Sequence, residues 1–127
     1  MRKLKLPGRD IERERLEQQD IELIRKLGID QIREHAEMIV KENLRDSQED
    51  DQEKVPKAGN PVYKAMHACN AASREQLFMA HRIRPDSELT DSQLESVVDM
   101  LMRWIVREYN FFMEEKRERQ QNLGEFA

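Results

Sequence analysis

Apolar residues recur every three or four positions along most of this chain, which is the pattern of amphipathic helices. In the first half, this periodicity predicts one helix from Asp10 to about Gly28 and a second from Asp30 to Leu44. Gly28 is placed to end the first helix, and the carboxylate of Asp30 to cap the start of the second. No stretch shows the strict alternation of apolar and polar residues that is typical of strands.

The third predicted helix has a clear start signal. Asn60 caps helix ends well, and Pro61 is tolerated at the first helical position, where its missing N–H would have no partner within the helix. Apolar and small residues then follow at helical spacing, so we expect this helix to run without interruption to about Ile83. A proline two residues later ends it.

A capping box of Thr90 and Gln93 predicts the start of a long last helix. Its apolar stripe continues to Met113, and the helix is predicted to end near Gln121. Such a helix would be roughly 48 Å long at about 1.5 Å per residue, so part of it should protrude or meet another subunit. The predicted fold class is therefore all-α, a small bundle of about four helices with a long C-terminal helix.

The remaining segments are interpreted as connections and ends. Residues 1–9 contain several basic side chains before a Pro-Gly pair and are predicted to form a flexible basic arm. Residues 10–121 form a single helical domain in this interpretation. Within it, residues 45–59 are rich in carboxylates and lack apolar periodicity, which indicates a solvated acidic linker. Residues 122–127 are predicted to be a disordered tail.

Composition narrows the function classes without naming one. The chain has 127 residues, of which 38% are apolar and 38% charged, a charge-rich balance that favours additional burial through association. A net charge of -4 makes nucleic acid an unlikely partner. No segment is long and apolar enough for a signal peptide or a membrane span, so no membrane association is expected. A single cysteine favours a cytoplasmic location.

The most site-like feature is a row of hydrogen-bonding side chains along the predicted third helix, beside its apolar stripe. An arginine in this row could engage an anion, and a histidine could act as donor, acceptor or base. A histidine of the second helix could complete a pocket with the row. The candidate ligand-binding residues are Tyr63, His67, Asn70, Arg74, His81 and His35.

Helix geometry argues against a metal site and against a catalytic cysteine. His67 and Cys69 are two positions apart, so on a helix they point about 200° away from each other. His67 and His81 would lie roughly 21 Å apart along the same helix. Cys69 falls on the apolar stripe, where a buried hydrophobic role is expected. We therefore expect no metal, no other cofactor and no catalytic residues.

A second candidate surface lies on the last helix. From Tyr109 to Met113 the side chains are apolar around most of the helix circumference, which a purely solvated helix would not tolerate. The segment is predicted to contact another subunit, and the alternative is that the first helix covers it within the same chain. The candidate interface residues are Trp104, Tyr109, Phe111, Phe112 and Met113.

Three stretches resemble an uncharacterised family of short bacterial and archaeal proteins, a domain of unknown function: PVYKAMHACNAASREQLFMAHRIRPDSELT, with GIDQIREHAEMIVKENL before it and VVDMLMRWI after it. The family pattern has Pro-Val-Phe, a histidine four residues after that Phe, a cluster of cysteines, a Trp-His pair and a Leu-Thr-Glu-Glu helix start. The resemblance extends from about Asp20 to Glu108. Residues at matching places are His67, Arg74, Leu77, His81, Ile83, Leu89, Thr90, Arg103, Trp104 and Ile105.

The chain departs from this family pattern at the cysteines. Ala72, Ser73 and Gln76 stand where the family has three cysteines, and Ala80 stands where it has Trp. If those cysteines bind a metal in relatives, this chain lacks the ligands. The resemblance supports the helical unit and implies no activity.

Two function classes follow from the sequence. The favoured one is a non-enzymatic helical module for protein interaction or regulation, which self-associates or binds a protein partner. The alternative is a small-ligand-binding or enzymatic protein whose polar site is centred on His67 and Arg74. The two predict different surroundings for these residues: a pocket requires both to line a concave surface, whereas a structural role leaves them exposed or paired within the core.

Overall fold

The chain forms five helices in this computed structural model, which describes residues 3–8, 14–46 and 55–125, with side chains up to residue 119. No strand occurs within these ranges. The prediction of an all-α bundle with a long C-terminal helix is therefore confirmed. In chain order the helices are α1 (Gln18–Leu27), α2 (Ile29–Leu44), α3 (Pro61–Ala68), α4 (Arg74–His81) and α5 (Asp91–Glu125).

The first half of α5 is the centre of the bundle. Helices α2 and α3 pack against it, and α1 packs against α2. Between residues 97 and 105, α5 is buried around most of its circumference, because helices and the N-terminal segment cover several of its faces. A helix that is apolar on most sides is what such a position requires. Its buried side chains there are Val97, Val98, Met100, Leu101, Met102, Trp104 and Ile105.

Two of the predicted start signals are confirmed. The side-chain oxygen of Asn60 accepts a hydrogen bond from the backbone N–H of Val62 at 2.8 Å, at the start of α3. The capping box before α5 forms in both directions, because Thr90 Oγ1 accepts from the Gln93 N–H and Gln93 Oε1 accepts from the Thr90 N–H, each at 3.0 Å. Both signals act within four residues, so no distant contact is needed to form them.

The predicted continuous helix over residues 60–83 is wrong, since the structure contains two helices there. Helix α3 ends at Ala68, and Asn70 adopts a left-handed conformation with φ of 55°. The hydroxyl of Ser73 then accepts a hydrogen bond from the Gln76 backbone N–H at 3.1 Å and caps α4. The apolar spacing continues across the break, and this continuity concealed the cap in the sequence.

Two predicted boundaries in the first half also need correction. Helix α1 begins at Gln18, because Glu17 and Asp20 form a capping box in which the Glu17 N–H donates to Asp20 Oδ2 at 2.8 Å. The start predicted at residue 10 lies outside the described residues. Asp30 does not cap α2 but lies in its first turn, two residues after the N-cap Gly28, whose φ is 83°.

The N-terminal residues 3–8 lie against α5, so the predicted flexible arm does not describe them. Leu4 belongs to the core, and its carbonyl oxygen accepts a hydrogen bond from Arg103. Arg107 donates to the carbonyl oxygen of Pro7 at 2.8 Å. These contacts hold the segment against α5.

Other predicted segments are only partly described. Residues 47–54, the centre of the predicted acidic linker, lie outside the described ranges, as do residues 126–127 of the predicted tail. Residues 122–125 belong to α5. The C-terminal helix is therefore longer than its apolar stripe predicts.

Candidate functional site

Arg74 is the most heavily bonded side chain of the predicted polar row, and it is only 1% exposed. It begins α4, and its guanidinium faces the C-terminal end of α2, whose last carbonyl groups lack partners within the helix. Nη1 donates to the carbonyl oxygens of Leu44, Arg45 and Asp46 at 2.8 to 3.3 Å. Arg74 therefore closes the end of α2.

The second guanidinium nitrogen of Arg74 joins this helix end to the loop between α4 and α5. Nη2 donates to the carbonyl oxygens of Arg84 at 2.6 Å and Ser87 at 2.8 Å. The backbone N–H of Leu89 in the same loop also donates to the Arg45 carbonyl oxygen at 2.9 Å. Arg74 thus connects three segments that are distant in the sequence.

Arg74 is a buried cation, and none of the ion pairs between described residues includes it. Burial lowers the pKa of Arg74 from its ordinary value, and the Asp86 carboxylate opposes part of that shift. A guanidinium stays protonated in proteins, so five carbonyl dipoles and the negative end of α2 carry the stabilisation of its charge.

His67 and His81 are also bonded to backbone carbonyls. His67 Nε2 donates to the Val55 carbonyl oxygen at 2.9 Å, which anchors the residues before α3. His81 Nε2 donates to the Cys69 carbonyl oxygen at 2.7 Å. Residues 12 positions apart on one helix would lie about 18 Å apart, so this bond requires the break between α3 and α4. Cys69 itself is buried, as expected.

The break between α3 and α4 separates the residues of the predicted polar row. Tyr63 is half-buried and packs against the core from α3, whereas Asn70 lies in the left-handed turn after that helix. Arg74 begins a different helix and points at the end of α2. Within the part of the chain that the structure describes, Tyr63, His67, Asn70 and Arg74 therefore do not form a row along one helix.

His35 of α2 lies beside a groove. Its Nδ1 is 3.5 Å from Asn60 Nδ2, and the Asn60 oxygen already accepts from the backbone, so the amide nitrogen donates to the imidazole. The groove has a volume of about 380 Å³ and is lined by Leu27, Gln31, Glu34, His35 and Met38.

A second groove has a volume of about 270 Å³ and a polar lining of mixed charge. Two of its charged groups already have partners within the chain, since Arg33 pairs with Glu37 at 3.7 Å and Asp99 with Arg103 at 2.9 Å. This pairing leaves little unbalanced charge to attract an ion. Its lining residues are Lys3, Arg33, Ser92, Glu95, Ser96 and Asp99.

Across residues 3–8, 14–46 and 55–125, no three His, Cys, Asp or Glu side chains are close enough together to hold a metal ion. None of the five described helices combines the length and the apolar character that crossing a membrane requires.

The candidate interface on α5 is largely occupied from within the chain. Trp104 is 2% exposed and belongs to the core, so it is not available to a partner of the folded protein. Arg25 of α1 donates to Tyr109 Oη at 3.2 Å and contacts Met113 Sδ at 3.1 Å. Phe112 packs against the core from a half-buried position, as do Tyr109 and Met113. These contacts favour coverage by the first helix.

Phe111 is half-buried. Farther along α5, Glu115 lies 4.0 Å from Arg15. The side of α5 that faces α1 is therefore covered by α1 and by the residues that precede it.

Sequence reasoning missed a buried ion pair between α1 and α3. Lys64 Nζ lies 2.7 Å from Asp20 Oδ2, and the two side chains are 4% and 2% exposed. Glu17 lies 3.6 Å from the same ammonium group at the edge of the pair. The sequence does contain a signal for this pair, because Lys64 is the single Lys, Arg, Asp or Glu residue between Pro61 and Ser73.

Replacing His67 with Ala is expected to lower the free energy of unfolding by about 1 to 2 kcal/mol, because the bond to the Val55 carbonyl oxygen is lost. Urea denaturation followed by circular dichroism measures this loss. Unchanged stability would contradict the structural role, and His67 would again be available for a ligand.

A known protein family matches most of the chain. The model of a family described as a domain of unknown function, DUF4186, matches residues 6–106. No curated protein and no solved structure matches the chain.

Proposed function

This chain belongs to the DUF4186 family, a domain of unknown function, and from that premise we propose that it is a non-enzymatic helical protein-interaction module that associates with itself. The observation that carries the proposal is the set of hydrogen bonds that residues of the predicted polar site make. Arg74, His67 and His81 all donate to carbonyl oxygens of the chain's own backbone. Groups that hold the fold in this way are poorly placed to bind a substrate.

Exposed apolar side chains supply the second support. Met79 of α4 is 67% exposed and Met38 of α2 is 51% exposed, although both are large and flexible hydrophobic residues. Contact with another protein would remove such side chains from water, at about 25 cal/mol for each Å² of apolar surface. Among the residues whose side chains the structure describes, the other large apolar residues at the surface are Ile29, Phe78 and Val106.

The alternative, a small-ligand or enzymatic site around His67 and Arg74, is less well supported. Nη1 and Nη2 of Arg74 are occupied by five carbonyl oxygens, and the remaining donor, Nε, is buried with the rest of the side chain, so the guanidinium is closed to an anion from solvent. The proposal also includes a cytoplasmic location, which the single free cysteine, Cys69, supports.

Self-association is tested by light scattering on the purified full chain over a series of concentrations. We expect the mass to rise above the monomer value of 15.2 kDa as the concentration increases. A mass that stays at the monomer value up to the solubility limit would contradict self-association.

A further inference from the structure

The solvent face of α2 is centred on an exposed methionine. At 3.6 residues per turn, the residues three, four and seven positions from Met38 in either direction fall on one side of the helix. Met38 is 51% exposed, and its neighbours on this face are polar and exposed or half-buried. They are Gln31, Glu34, His35, Lys41, Glu42 and Arg45.

The charges on one edge of this face are ordered by sign. Asp30 and Glu34 are acidic and precede Met38, whereas Lys41 and Arg45 are basic and follow it. Residues seven positions apart are displaced by only about 20° around a helix, so Glu34 and Lys41 lie on the same edge of the face. None of the ion pairs within the described ranges uses the side chain of Glu34 or Lys41.

This order is self-complementary. Glu34 and Lys41 lie equally far on either side of the point between residues 37 and 38, and so do Asp30 and Arg45. If a second copy of α2 lies antiparallel across a two-fold axis at that point, each acidic residue meets a basic residue of the other copy on the same edge. Isologous contact of this kind is the commonest form of homodimer.

The spacing within one helix adds a reason for this arrangement. Asp30 and Glu34 are four positions apart, and so are Lys41 and Arg45, which places like charges next to each other at a cost of a few tenths of a kcal/mol. A second copy would supply the opposite charge to each pair. The same order also suits the dipole of a single helix, so the two explanations must be separated by experiment.

The groove beside Met38 provides room for an apolar contact. Its volume of about 380 Å³ lies between the end of α1 and the face of α2, with Leu27 on one side. Around the proposed two-fold axis, the Met38 side chain of each copy lies beside the groove of the other. Methionine suits such a contact, because it is unbranched and adapts to irregular surfaces.

We infer that the exposed face of α2, centred on Met38, is the surface through which two copies of this chain associate in an antiparallel arrangement. This inference rests on the proposed self-association and names its surface. One helix face buries less than the 1,200 to 2,000 Å² that is usual for stable complexes, so the dimer is weak and concentration-dependent. Its charged contacts are weakened by salt.

The test is sedimentation velocity of the full chain over a concentration series at low ionic strength. Met38→Asp is expected to abolish the dimer. Glu34→Lys and Lys41→Glu, each alone, are expected to raise the dimer dissociation constant about tenfold or more, because each change turns two attractive contacts into repulsive ones. The double variant with both changes restores opposite charges across the axis and should return to within about threefold of the natural chain.

The matched control is Met79→Asp, which introduces the same change at a methionine of α4 that is 67% exposed. It should leave the dimer intact. Thermal melts of every variant show that the fold is kept, and they reveal any effect on the dipole, which would change stability without changing association.

Two negative outcomes are distinguishable. If the natural chain associates but Met38→Asp does not weaken the dimer, or if the double variant does not recover, the α2 surface is wrong and self-association stands. If the natural chain sediments as a monomer at every concentration, the proposed self-association is itself wrong.

Discussion

Replacement of Arg74 by Met is expected to lower the free energy of unfolding by about 4 kcal/mol, a large loss for a single substitution. The side chain is 1% exposed and donates to five carbonyl oxygens. A hydrogen bond from a charged donor contributes about 1.5 to 3 kcal/mol, and each buried acceptor left without a partner adds a desolvation cost. Met keeps much of the side-chain volume, so the loss reports mainly the lost donors.

Urea denaturation followed by circular dichroism gives this number, with Arg84→Met as the matched control. The Arg84 side chain is 76% exposed and pairs with Asp86 at the surface, so its replacement should change stability by no more than about 0.5 kcal/mol. Arg74→Lys should recover only part of the loss, because an ammonium group cannot reproduce the fork of the guanidinium. A loss below about 1 kcal/mol for Arg74→Met would show that water can replace the guanidinium.

The features that could be predicted from the sequence are those whose cause is local. Asn60 and Thr90 cap their helices through bonds that span two and three residues, so neighbouring residues suffice to identify them. The apolar stripe of α5 identified the central helix in the same way. Its period is set by the helix itself and needs no knowledge of the partners that cover it.

Several of the features that sequence reasoning missed depend on distant contacts. Arg74 reaches carbonyl oxygens 28 to 30 residues earlier in the chain and 10 to 13 residues later. Apolar spacing could not reveal the break after Ala68, because both α3 and α4 present small and apolar residues to the same core. The assumption of one straight helix then placed His67 and His81 in a row that does not exist.

The α5 surface shows a third kind of difficulty. The sequence left two interpretations open for Tyr109 and Met113, and the contacts of Arg25 favour coverage by α1. The choice depends on where α1 lies relative to α5, and periodicity carries no information about the angle between two helices. Self-association through another surface is compatible with this coverage.

The second large effect concerns the ion pair between α1 and α3. Lys64→Met is expected to lower the free energy of unfolding by about 3 kcal/mol, because it leaves the carboxylate of Asp20, 2% exposed, without its ammonium partner. Lys57→Met is the matched control: Lys57 is exposed, so the same substitution there should have almost no effect. Urea denaturation of both variants measures the difference.

A double variant separates the cost of the orphaned charge from the loss of the contact itself. Asp20→Asn removes the charge but keeps an oxygen that can accept from the Glu17 N–H, so the start of α1 stays capped. Added to Lys64→Met, it should recover about 2 kcal/mol, since an unpaired buried charge costs more than the pair contributes. The single variant Asp20→Asn is measured as well. If the stability loss of the double variant equals the sum of the losses of Lys64→Met and Asp20→Asn, Asp20 is stabilised by groups other than Lys64, and the pair does not join α1 to α3.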